Sequence, residues 1–280
     1  MHLQMNWIID WFTLLFNWIK GLNWHINWGT VTSIIVGLGA AAIGQIIAHH
    51  FSQKREDLKF NKDCFQNLFS PVFLKVHQYI QKESWKSLIL NSKTEEEYEK
   101  NLQNEHDNPK VIFSEIIEIL DSNLKYASPE LTLIYQETIA LPKIDKELDG
   151  WASPKIIFCN QFLMEYIKLS KDLEVYSPKI KELAEEDLVF TQLVTLLSRA
   201  KKDYLADGLV QHLEFIKSEF IKSLKDKYLD KLIRINLKYD NVTSDEDYKR
   251  FQKKAMNLLR NIGNSLPEDL SEWWNNHIDD

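Results

Sequence analysis

The sequence predicts an all-α protein: an N-terminal amphipathic helix, one transmembrane helix, then a cytoplasmic multi-helix bundle. Three observations carry this. The 280 residues include only 8 Gly and 7 Pro, well under the usual combined share of roughly 12%. That scarcity disfavours sandwiches, barrels and Gly-rich nucleotide folds. Apolar residues after position 50 recur at helical rather than alternating spacing. Finally, four Ser-Pro pairs precede periodic apolar runs: Ser70-Pro71, Ser128-Pro129, Ser153-Pro154 and Ser177-Pro178. Ser caps an exposed N–H, and Pro is preorganised for the first helical position.

The first 50 residues read as a membrane segment and 51–280 as a cytoplasmic helical domain. Five of the nine tryptophans, Trp7, Trp11, Trp18, Trp24 and Trp28, lie in the first 28 residues. Before Lys54 and Arg55 the formal charges are Asp10 and Lys20 alone. The first element runs from Asn6 to Lys20. Its polar residues Asn6, Asp10, Thr13, Asn17 and Lys20 follow spacings of four, three, four and three, which makes one narrow stripe on a helix. At about 22 Å this helix is short for a span, and Asp10 is costly at bilayer depth. An interfacial helix is therefore expected, with insertion beside the next segment as the alternative.

The second element, Thr30 to Ala48, is nineteen residues without a formal charge. It spans about 28 Å, close to the thickness of a bilayer core. The tryptophans supply an aromatic belt at the interface. Lys54, Arg55, Lys59 and Lys62 follow the span, so 51–280 is expected in the cytoplasm of a bacterial cell. Basic residues comprise 29 Lys against five Arg, the bias of an AT-rich bacterial coding sequence. Ser33, Gly37 and Ala41 form one row of small residues, and Ala40, Gly44 and Ala48 form another. Such rows let helix backbones approach in lipid, so self-association is expected there.

Beyond residue 50 helices are expected near 50–69, 71–90, 111–125, 129–140, 154–174, 178–199, 203–237, 244–262 and 267–277. Ser244 with Asp247 resembles a capping box. The Pro- and Gly-bearing stretch 141–152 is a possible subdomain boundary, and 91–109 is polar enough for a loop. The helix over 203–237 pairs an apolar face with a lysine-rich one, expected to be solvated. Trp273-Trp274 is expected to cap the core rather than form a surface patch.

Chemical motifs fail in turn. None of the eight histidines forms HExxH, and no Glu precedes a His by three residues. Zinc-hydrolase and di-iron helices are thus absent. GxxxxGK[ST], GxGxxG and GxSxG are missing, which removes the common phosphate cradles and the nucleophile elbow. The RxxxxH signature of the HEPN ribonucleases is missing too. Asp240 to Asp247 is acidic but has Val242 and no turn glycine, so it fails the EF-hand pattern. Cys64 and Cys159 are too few for a disulfide framework. A net charge of -7 argues against a nucleic-acid coat.

No catalytic, cofactor or metal residue is therefore assigned. The expected partners are the bilayer, a second copy and an unidentified cytoplasmic protein, and nucleic acid is not expected. The leading expectation is a non-enzymatic, membrane-tethered interaction or sensor protein. In layout the chain also resembles bacterial defence proteins that pair a membrane segment with a soluble sensor. That resemblance implies an alternative: a toxin or abortive-infection effector whose N-terminal helices permeabilise the bilayer. An enzyme, such as a nuclease, with dispersed active-site residues is the third reading.

Overall fold

The computed structural model describes residues 13, 14, 17, 28–92, 108–144, 152–211, 219–266 and 268–278. Among these residues every regular element is helical and no strand occurs. The chain forms two compact units, Met1–Asp57 and Leu58–Asp280.

Helix α1, Trp28–Cys64, begins in the first unit and ends in the second. It corrects the expectation of separate helices before and after His49-His50: one helix runs through. No Gly or Pro interrupts the stretch from Gln45 to Cys64, so nothing there breaks the backbone hydrogen-bond ladder. From Val36 to Phe60 every residue is exposed except the half-buried Gly39. Among the described residues no helix is long and apolar enough to cross a membrane. The transmembrane assignment of 30–48 rests on the sequence.

The second unit holds the core. A π-helical turn, Phe65–Phe69, joins α1 to α2, Ser70–Ser92. This corrects the expected helix start at Ser70-Pro71. Ser70 is helical, and its N–H reaches back five residues to the Phe65 carbonyl. Pro71 has no N–H, and its ring would collide with the carbonyl four residues earlier in a regular α-helix. The wider π turn takes up that conflict without ending the helix. The Asn67 side-chain amide donates to the Asp63 carbonyl at 2.8 Å.

The remaining helices are α3 (Pro109–Asn123), α4 (Pro129–Ile144), α5 (Ser153–Asp172), α6 (Pro178–Arg199), α7 (Asp203–Gln211), α8 (Glu219–Tyr239), α9 (Asp245–Gly263) and α10 (Glu268–Ile278). A 3-10 turn, Leu124–Tyr126, separates α3 from α4. Three of the expected caps form: Ser128, Ser177 and Ser244 accept from the N–H groups of Leu131, Ile180 and Asp247. Ser153 does not cap. It sits inside α5, and its own N–H is received by Asp207 of α7 at 3.2 Å. Asn108 caps α3 at 2.9 Å. The helix expected over 203–237 is described as α7 and α8, and of the loop expected at 91–109 residues 93–107 lie outside the described residues.

α6 is the central helix, packed against α5, α7 and α8. Every residue from Asp187 to Leu197 is buried, as expected of a helix surrounded on all sides. Its buried polar side chains find partners. Thr191 donates to Asn160, Gln192 accepts from Asn236 at 2.6 Å, and Asp187 pairs with His77 at 2.7 Å. At the C-terminal end Trp274 of α10 is fully buried, so the Trp pair does close the core. A Cβ on Gly263 would lie 2.4 Å from the Trp274 ring, so only glycine leaves room for the indole.

Candidate ligand cleft

α4 starts where Ser128 caps it, and that cap forms part of the wall of a cleft in the second unit. Ser128 Oγ accepts from the Leu131 N–H at 3.0 Å and donates to Glu165 Oε1 at 2.5 Å. Gln161, one turn earlier on α5, donates to the same carboxylate oxygen at 2.7 Å. Two donors on one oxygen fix the Glu165 carboxylate in place. Around it opens a cleft of ≈ 690 Å³. Phe60 and Asn61 of α1, Phe69 of the π turn, Tyr126 of the 3-10 turn and Met164 and Leu169 of α5 supply much of its wall. Among the described residues Glu130, Glu165, Asp172 and the cation Lys168 face it. Burial pushes the Glu165 carboxyl above its ordinary value, and the hydrogen bonds from Ser128 and Gln161 offset part of that effect.

The cleft has the size and mixed lining of a ligand site. The thiol in its lining is not activated. Cys64 lines it, but burial and the Asp63 carboxylate push the thiol above its usual range, which leaves it protonated and poorly reactive at neutral pH.

A second, smaller cavity of ≈ 230 Å³ lies between α2 and α6, with His77, Gln81, Glu186 and Asp187 among its lining. The buried Asp187 orients the His77 imidazole through Nδ1 at 2.7 Å. Burial alone pulls the His77 pKa down, but the hydrogen bond and charge of Asp187, with Glu186, outweigh it and raise the value. Among the described residues no hydroxyl or thiol lines this cavity, so none of them gives the pair a nucleophile to activate in the manner of a triad. Among the described residues no group of three or more His, Cys, Asp or Glu side chains is placed to hold a metal ion.

The residues singled out from the sequence fall elsewhere. Ser33, Gly37, Ala41 and Gly44 are exposed on α1, as are Lys54, Arg55, Lys59 and Lys62. A Cβ on Gly37 or Gly44 would meet nothing within 4 Å. Thr13 and Asn17 are helical and exposed. Asn6, Asp10, Lys20, Trp7, Trp11, Trp18 and Trp24 lie outside the described residues, and Trp28 opens α1. Sequence reasoning missed Glu165. Its signal was a lone carboxylate inside the apolar run from Phe162 to Ile167, a pattern that marks a carboxylate with a specific partner. No protein-family model, curated protein or solved structure matches this chain, so its reading rests on its own geometry.

Proposed function

We propose that the protein is a membrane-tethered helical sensor, non-enzymatic, with the segment 30–48 in the bilayer and the Leu58–Asp280 unit in the bacterial cytoplasm. The observation that carries this is the exposure of α1. Val36 is 68% exposed, Leu38 64%, Ile43 60% and Ile46 68%. Apolar side chains that project on every side of a helix, without protein around them, call for a different surrounding medium. The uncharged stretch from Thr30 to Ala48 has the length of a span, and lipid is the medium that matches it. The cations that follow favour a cytoplasmic second unit. The same helix ends in Phe60, Asn61 and Cys64, which line the cleft. A ligand or partner seated there would touch the element that carries the anchor.

The test compares the full chain with a version starting at His50, both made in bacteria. The full chain is expected to stay with membranes through alkaline carbonate washing and the short one to be released. A full chain that washes off would sink the tether. Membrane potential is followed in the same cells. An unchanged potential is the sensor's expected result. Depolarisation by the full chain alone, altered by Asp10→Leu, would replace the sensor with the permeabilising effector.

A further inference from the structure

We propose that the cleft beside Glu165 binds an organic cation, an ammonium group carried on an apolar body. The proposal rests on reading that cleft as the sensory site. Four observations converge on it. The volume, ≈ 690 Å³, falls in the range of about 300–1,000 Å³ that suits a small molecule. Among the described residues the charged side chains of the lining are three carboxylates, Glu130, Glu165 and Asp172, against Lys168. That balance repels an anion. It also penalises a neutral apolar guest, which would strip water from the carboxylates and give nothing in return.

Aromatic rings supply the third observation. Phe60, Phe69 and Tyr126 line the same space as the carboxylates, and ring faces attract ammonium groups. The Tyr126 ring already has one cation over it, Lys125 Nζ at 4.8 Å from the centroid. Fourth, the Glu165 carboxylate is preorganised. Ser128 and Gln161 both donate to Oε1, so the group does not need to reorient when a cation arrives. An incoming positive charge favours its ionised form, which burial disfavours. A divalent metal is the weaker guest, because no three acidic, His or Cys groups among the described residues are close enough to hold one.

The test is isothermal titration of the full chain in maltoside micelles, with titrations into empty micelles subtracted. Three probes share one ring: benzyltrimethylammonium, benzyl alcohol and benzoate. The expected result is saturable binding of the cation, with the alcohol and the anion at least tenfold weaker. Glu165→Gln should weaken cation binding tenfold or more. Phe60→Ala removes an exposed ring (55% exposed) and should weaken binding severalfold while thermal unfolding stays unchanged, which separates loss of the site from loss of the fold. No cation binding, equal binding of benzoate, or cation binding indifferent to both substitutions would overturn the proposal. Carbonate washing reports on the tether independently, so a cleft that fails and an anchor that fails give different results.

Discussion

Two helices of this protein are rich in apolar residues and live in opposite surroundings. Along α6, Asp187 to Leu197 is buried on every side. Along α1, Val36 to Phe60 is exposed on nearly every side. The polar content does not explain the difference in the expected direction. The buried stretch of α6 carries Asp187, Thr191, Gln192 and Thr195, whereas the exposed stretch from Val36 to Ala48 has Gln45 as its one strongly polar side chain. What differs is company. Asp187, Thr191 and Gln192 each meet a partner from a neighbouring helix: His77, Asn160 and Asn236. Once paired, a buried polar group costs little. Among the described residues the apolar side chains of α1 from Val36 to Phe60 are exposed, and leaving them in water costs about 25 cal/mol for each Å² of apolar surface. Burial is thus a property of the assembly around a helix and not of its composition alone.

The sharpest way to break that comparison is to truncate one large apolar side chain in each helix. Phe190→Ala in α6 should destabilise the second unit by about 3–5 kcal/mol, seen as a lower urea midpoint by circular dichroism in micelles. Ile46→Ala in α1 should leave the midpoint unchanged. Equal losses would show that α1 is packed in protein after all.

Removing the buried ion-pair partner comes next. His77→Ala takes the imidazole from Asp187, leaving Gln81 as its hydrogen-bond partner, and should cost about 1–3 kcal/mol. The pH profile adds a sign. His77 has a folded-state pKa above its ordinary 6.5, so the folded chain holds that proton more tightly than the unfolded one. Its contribution is complete below about pH 6.5 and is lost as pH rises through the higher folded value. Unfolding midpoints measured from pH 5 to 8.5 should fall across that window in the parent chain and fall less in His77→Ala.

Glycines sharpen the contrast at smaller scale. Gly263→Ala pushes a Cβ to 2.4 Å from Trp274 and should cost about 1–3 kcal/mol through overpacking. Gly44→Ala meets open space and should leave unfolding unchanged. If α1 self-associates, a bulkier Gly44→Leu should instead weaken dimers in lipid, measured by energy transfer between labelled copies. The smallest effect is at a cap. Ser177→Ala removes the acceptor for the Ile180 N–H and should cost about 1 kcal/mol, read from the same urea midpoint.

Much of the fold was legible because helix ends are local. Asn108, Ser128, Ser177 and Ser244 accept from N–H groups two or three residues ahead, a distance that sequence spacing encodes. One Ser-Pro signal misled, and another marked its helix start but not its cap, each for an identifiable reason. At Ser70-Pro71 the chain absorbed the proline in a π turn rather than stopping. At Ser153-Pro154 the acceptor came from Asp207, 54 residues away. The cleft was illegible for the same reason. Glu130, Glu165 and Phe60 lie far apart in the chain, and only the packing of α1, α4 and α5 puts them around one space.

By itself the sequence determined the helical class, most of the helix starts and the abrupt change in composition near residue 50, because propensity, capping and hydropathy act over a few residues. The tertiary structure alone decided which apolar helix became core, which polar side chains found partners inside it, and which carboxylates share a cleft with aromatic rings. Those outcomes depend on contacts between residues tens of positions apart. No local pattern specifies such contacts, since each forms only when the whole set of helices has closed around it.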